Sequence, residues 1–146
     1  MPNNVVRKDQ EIDAVHWDSI TAGAKLVAEW VKKTFGNKVA VYGIPRGGMI
    51  PAIMVVHQLE AMGVEARYLA DIYHVQPSEL HSFVIIDEIC DSGDTFRALK
   101  QLFPMAKTAT LFHRIGAKFI ADFHSFDIKD DRWLKFPWEA SNDDSQ

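Results

Sequence analysis

Apolar residues recur at helical spacing at Ile20, Ala24, Val27, Val31 and Phe35, with Asp18 or Ser19 placed to cap the helix and Gly36 to stop it. Val39 to Ile44 is short, apolar and β-rich, the pattern of a buried strand, and Pro45, Gly47 and Gly48 break it. Pro51 suits the first turn of a second helix, Ala52 to Met62, ended by Gly63. Glu65 to Tyr73 reads as a strand, followed by the polar stretch HVQPSELHS. Phe83 to Ile86 is a continuous apolar strand ended by Asp87 and Glu88, and Thr95 to Leu102 is a short helix stopped before Pro104. Thr108 to Phe112 and Phe123 to Ile128 complete the strands. Apolar strands alternating with helices predict an α/β fold, a Rossmann-like parallel sheet with helices on both faces. In such sheets ligands bind beyond the carboxyl ends of the strands.

Composition narrows the setting. Apolar residues make up 47% and charged residues 25% of the 146, the balance of a folded globular chain. A chain of this length buries roughly 70% of its unfolded surface. One domain is expected over residues 16–139, between a polar arm, 1–15, and a polar tail, 140–146. The single cysteine, Cys90, excludes an internal disulfide framework and fits a reducing compartment. No apolar run approaches the ~20 residues of a membrane span. The opening MPNNVVRKDQ has no apolar core of the kind a signal peptide needs. A cytoplasmic protein with no membrane partner is the expectation. Sixteen Lys and Arg against twenty Asp and Glu give a net charge of −4, which argues against a nucleic-acid partner held by bulk charge.

Three segments collect chemistry. In FVIIDEICDSGDT, Phe83 to Thr95, a buried strand delivers Asp87 and Glu88 to the sheet edge, and a turn carries Asp91, Ser92, Gly93, Asp94 and Thr95 into a helix N-terminus. Unpaired N–H groups and the positive end of the helix dipole suit a phosphate there. Ser92 and Thr95 add hydroxyls, and Gly93 lets the backbone approach closely. In GIPRGGM, Gly43 to Met49, two glycines free backbone amides for an anion and Arg46 supplies a charge matched to phosphate oxygens. Acids that share a site with a polyphosphate usually do so through a divalent metal. In RWLKFPWE, Arg132 to Glu139, Trp138 reads as a hydrophobic anchor, whereas Trp133 offers an aromatic platform for a flat base. Cys90 sits between acids, which oppose thiolate formation, and the histidines show no metal-ligand spacing. Trp30 reads as core or as a subunit contact.

Taken together these segments resemble the type I phosphoribosyltransferases. FVIIDEICDSGDT resembles their phosphoribosyl-pyrophosphate (PRPP) signature, and YGIPRGGMIPA resembles the pyrophosphate loop of the branch that handles 6-oxopurines. RWLKFPWE resembles the C-terminal segment of short bacterial and archaeal xanthine–guanine or hypoxanthine phosphoribosyltransferases, and implies a small C-terminal base-binding hood. The likeness runs in order from about Trp17 to Glu139. It implies that Asp87 and Glu88 meet the ribose hydroxyls and a magnesium ion (Mg2+), and that Asp91 is the acid–base residue near N7 of the purine. Ser92, Gly93, Asp94 and Thr95 would hold the 5′-phosphate, and Arg46 and Gly47 the pyrophosphate. Trp133 would stack on the base with the Leu134 backbone at its edge, and Arg114 would read the 6-oxygen.

The chain departs from the family pattern in four places. Glu88 stands for the more usual aspartate, Asp94 for glycine or lysine, and Arg114 for lysine. Where the purine enzymes carry a long mobile flap, only His74 to Ser82 are available. The activity implied is magnesium-dependent transfer of 5-phosphoribose from PRPP to guanine, xanthine or hypoxanthine. Its products are pyrophosphate and a purine nucleoside monophosphate, and the family likeness implies a homodimer or homotetramer. The alternatives are a non-catalytic PRPP- or nucleotide-binding regulatory protein, and a phosphoribosyltransferase for another base.

Overall fold

A computed structural model describes residues 12–140. Most of the expected arm and the tail from residue 141 lie outside the described residues. The elements run β1 (Ile12–Ala14), α1 (Trp17–Phe35), β2 (Lys38–Gly43), α2 (Met49–Ala61), β3 (Glu65–Leu69), β4 (Phe83–Cys90), α3 (Asp94–Leu102), β5 (Lys107–Arg114), β6 (Phe123–Ile128) and β7 (Trp133–Lys135). Five strands form one sheet in the order β3-β2-β4-β5-β6, and every pairing in it is parallel. Parallel neighbours need long crossovers, and these cover both faces. On one face α1 and α2 bury Ile20, Val27, Val31, Val55 and Leu59 against Val41, Val84, Ile86 and Leu111. On the other, Phe96 of α3 packs with Ile72 against Ala40, Tyr42, Phe83 and Ile85. Alternate residues of β2 and β4 thus feed opposite cores, which is why both strands read as unbroken apolar runs.

The boundaries differ from the sequence reading where the backbone finds partners that the pattern does not show. α1 begins one residue before the expected cap, because the His16 carbonyl accepts from the N–H groups of Ser19 and Ile20 at 3.0 and 3.3 Å. Gly36 ends it as expected, with φ 87°. Asp87 and Glu88 do not terminate β4. They lie within it, because β5 continues the ladder alongside as far as the Cys90–His113 pair. β3 stops at Leu69 rather than Tyr73. Residues 1–15 were expected to form a polar arm, yet Ile12–Ala14 pair in parallel with Trp133–Lys135 as a separate two-stranded hood. No helix among the described residues is long and apolar enough to cross a membrane.

The connection from β3 to β4 is folded as two 3₁₀ turns, Ile72–His74 and Pro77–Glu79. Asp71 caps the first by accepting from the Tyr73 N–H at 2.9 Å, and Glu79 accepts from the Gln76 N–H at 2.9 Å. Arg67 on β3 donates to both Glu79 carboxylate oxygens at 2.7 Å and to the His74 carbonyl at 2.9 Å. This segment is pinned along the sheet as a crossover.

Candidate functional site

Strand order places the site. β2 leads to β3 on one side, while β4 enters on the other, so the chain reverses direction of travel across the sheet between β2 and β4. Ligands of open α/β sheets bind at the carboxyl end of such a reversal. Gly43 and Ile86 are register partners there, and the Ile44 N–H donates to the Ile86 carbonyl at 2.8 Å. The turn after β2 and the acid pair of β4 therefore emerge side by side.

The turn after β2 needs small residues because two backbones nearly touch. A β-carbon on Gly48 would stand 2.6 Å from the Ile86 carbonyl oxygen and 2.9 Å from the Asp87 α-carbon. A β-carbon on Gly47 would collide with the Glu88 carboxylate. The Gly48 N–H closes the turn on the Ile44 carbonyl at 2.8 Å, the Pro45–Arg46 peptide is cis, and Arg46 is exposed. The structure thus brings Gly47 against the Glu88 carboxylate, with Arg46 exposed on the same turn.

Asp87 and Glu88 are partly buried neighbours, and the Glu88 N–H donates to Asp87 Oδ1 at 2.8 Å. Burial pushes the Asp87 carboxyl well above the usual carboxylate range, and its hydrogen bond and charge contact with Glu88 push the same way. Two part-buried neighbouring carboxyls offer hard oxygen donors, which suit magnesium. Among the described residues no group of three or more His, Cys, Asp or Glu side chains converges as a metal cage. Magnesium does not require one, since it commonly takes one or two carboxylates and completes its shell with water and substrate phosphates.

The phosphate turn follows. Gly93, at φ 83° and ψ 7°, is the N-cap of α3, and Ser92 Oγ accepts from the Asp94 N–H at 3.3 Å. Asp94 is paired one turn on with Arg97, so the extra negative charge beside the turn carries its own counter-ion. Residues 114–121 wrap over the turn. Phe119 stacks on Phe96 with ring centres 5.3 Å apart, and its carbonyl accepts from Cys90 Sγ at 3.2 Å. Burial, then the charges of Asp87 and Asp91, push the Cys90 thiol up to about 11. Between the turn and residues 116–118 lies a cavity of about 280 Å³, lined by Asp91, Ser92, Asp94, Arg97 and Lys118 among others.

The residues expected at the base come from three elements. Arg114, at the end of β5, donates from Nε to Asp91 Oδ1 at 2.9 Å and from a terminal nitrogen to the Asp130 carbonyl at 2.6 Å. Trp133 and Leu134 sit on β7, the first half-buried and the second buried, just after the loop that contributes Asp130. Trp138 packs on Phe136 with ring centres 5.1 Å apart and on Trp17 at 5.9 Å, an anchor for the hood. Trp30 stacks on Phe123 at 5.4 Å and belongs to the core.

Sequence reading named the residues of the acid pair, the two turns and the base end. It missed Arg97, Lys118, Phe119 and Asp130. The spacing of Asp94 and Arg97 by three residues on a helix was a usable signal for the first. Lys118 and Phe119 lie in the loop before β6 and Asp130 in the loop after it, where no periodic pattern marks what the backbone will reach.

No protein-family model matches the sequence. Solved structures do match in shape. A xanthine–guanine–hypoxanthine phosphoribosyltransferase from Helicobacter pylori is 22% identical, with a TM-score of 0.71 over 88% of this chain and 94% of its own. A purine phosphoribosyltransferase from Pyrococcus horikoshii is 20% identical, with a TM-score of 0.68 over 89% and 95%. A hypothetical protein from Neisseria gonorrhoeae with bound ppGpp is 22% identical, with a TM-score of 0.71 over 95% of both chains. The sheet order, the two turns and these matches agree that the chain has the type I phosphoribosyltransferase fold, in the form seen in short purine phosphoribosyltransferases.

Proposed function

We propose that the protein transfers 5-phosphoribose from PRPP to N9 of a 6-oxopurine, releasing pyrophosphate and a purine nucleoside monophosphate. The observation that carries this reading is the convergence of three chain segments on one sheet edge. The pyrophosphate turn abuts Glu88, and the acid of the phosphate turn, Asp91, is ion-paired to Arg114 of the base end.

In this reading, Arg46 and the amide of Gly47 hold pyrophosphate, and Ser92 to Thr95 hold the 5′-phosphate at the positive end of α3. Asp87 and Glu88 take the ribose hydroxyls, and these same acids would hold magnesium, whose positive charge supports the leaving pyrophosphate. Arg114 donates to the 6-oxygen, Trp133 stacks on the base, and Asp91 holds or accepts the proton at N7. Donors aimed at the leaving group and the base stabilise charge as the ribose becomes oxocarbenium-like. The family likeness carries with it a homodimer or homotetramer, which sedimentation would check.

A second reading is a nucleotide-binding regulator. It is favoured by the pinned connection between β3 and β4, which supplies no long lid to exclude water. The match to a ppGpp-bound structure over 95% of the chain points the same way.

Asp91→Asn separates the two. It keeps size and most hydrogen bonds but removes the proton acceptor, so an enzyme should lose on the order of 10²–10⁴ in kcat. PRPP affinity by calorimetry should hardly change. Tight PRPP binding by a parent protein that turns over no base would decide for the regulator.

A further inference from the structure

Arg114 can read a 6-oxygen only if its guanidinium is aimed, and the structure shows what aims it. One donor is fixed by Asp91 and another by the Asp130 carbonyl, leaving the side chain only 17% exposed. Asp130 is in turn clamped from its carboxylate side. Arg132 donates from Nε to Oδ1 and Oδ2 at 3.1 and 3.3 Å and from a terminal nitrogen to Oδ2 at 2.9 Å, and its backbone N–H reaches Oδ1 at 3.1 Å. The remaining terminal nitrogen of Arg132 donates to Asp13 Oδ2 at 3.1 Å, on the strand that registers beside Leu134. A continuous path therefore joins the hood to the phosphate turn, from Asp13 through Arg132, Asp130 and Arg114 to Asp91.

We propose that Arg132 is a positioning residue for base recognition, fixing through Asp130 the carbonyl that orients Arg114. An isolated exposed ion pair contributes little. Here the planar guanidinium grips one carboxylate with two nitrogens and the hood strand with a third, so the loop geometry is specified rather than merely attracted. Hydrogen bonds from Arg132, with its charge and that of Arg114, hold the Asp130 carboxyl below the usual range, consistent with a clamp that persists across neutral pH. Recognition is steep in such displacements: a shift of ~1 Å at a positioning group can cost 10²-fold. The inference rests on the reading of Arg114 as the residue that meets the 6-oxygen.

A double-mutant cycle tests it. Calorimetry would measure IMP binding, and separately PRPP binding with magnesium, to the unmodified protein, Arg132→Ala, Arg114→Ala and the double variant. Arg132→Ala should weaken IMP binding roughly three- to tenfold, the range of couplings carried through side-chain networks, and leave PRPP binding unchanged. In the Arg114→Ala background the same substitution should have no further effect. Asp130→Asn, which keeps the carbonyl and loses the carboxylate charge, should reproduce Arg132→Ala and serves in its place if that variant melts too low. Additive losses, or equal losses for IMP and PRPP, would overturn the positioning role while leaving the base site standing. Absence of IMP binding by the unmodified protein would overturn the base-site reading and the positioning role with it.

Discussion

Gly93→Ala probes the wall of the phosphate turn, and its cost can be worked out from two terms. The left-handed backbone at φ 83° costs an L-residue about 1–2 kcal/mol. The added carbon would also collide with the Phe119 β-carbon, and would stand 3.1 Å from Cγ and 3.2 Å from Cα. Ordinary carbon contacts are about 3.5–4.0 Å. Phe119 has little room to withdraw, because its ring stacks on the buried Phe96 and its carbonyl accepts from Cys90. Overpacking of this kind adds about 1–3 kcal/mol, for a total near 2–5 kcal/mol. Gly63→Ala is the control: its φ is 81°, and a β-carbon there meets nothing within 4 Å, so it carries the backbone term alone. Urea unfolding of the two variants should show Gly93→Ala worse by about 1–3 kcal/mol, and the difference should shrink in a Phe119→Gly background, which removes the β-carbon that is struck. Equal losses at positions 63 and 93 would refute the packing of residues 114–121 over the turn.

Three further outcomes are expected. Trp133→Ala should weaken purine nucleotide binding by roughly 1–3 kcal/mol in a calorimetric titration, the usual worth of a base–aromatic stack, without altering PRPP affinity. Arg67 holds Glu79 below the ordinary carboxylate range, so the pair contributes stability that is present above the unfolded-state pKa and is lost as pH falls through the folded one. Glu79→Gln should therefore lower the melting midpoint at neutral pH, with the gap closing below about pH 4, and a gap that survives at acid pH would indicate lost packing instead. Cys90, buried and with its thiol pushed up to about 11, should resist iodoacetamide at about pH 8 in the native protein and react once unfolded; rapid native labelling would contradict its placement.

What the sequence made legible follows from which contacts are local. β2 and β4 stand out because each is buried on both faces, so their apolar runs carry no helical period and their ends mark the sheet edge. The two turns are legible because glycine and acid positions there answer to backbone geometry within a few residues. The pairing of Ile12–Ala14 with Trp133–Lys135 had no such signal, since each strand is short and the partners lie at opposite ends of the described chain. The extension of β4 through Asp87 and Glu88 was hidden by their polarity, because the ladder to β5 outweighs the low strand propensity of acids. Arg114 was read as a base contact from the family likeness, in which it stands for a lysine. Its grip on Asp91 depends on the distance between two strand ends, which no local pattern reports. The short connection after Tyr73 was visible by length alone, yet only the Arg67–Glu79 pair reveals that it is pinned along the sheet as a crossover.

The central claim is chemical, and one assay meets it directly. The unmodified protein would be incubated with PRPP, magnesium and, in separate reactions, guanine, xanthine, hypoxanthine or adenine, with pyrophosphate and nucleoside monophosphate both quantified. Equimolar pyrophosphate and nucleotide from one or more of the 6-oxopurines, abolished without magnesium and far weaker with adenine, is the predicted result. PRPP binding with no nucleotide formed from any of these bases, or adenine used as well as hypoxanthine, would contradict it.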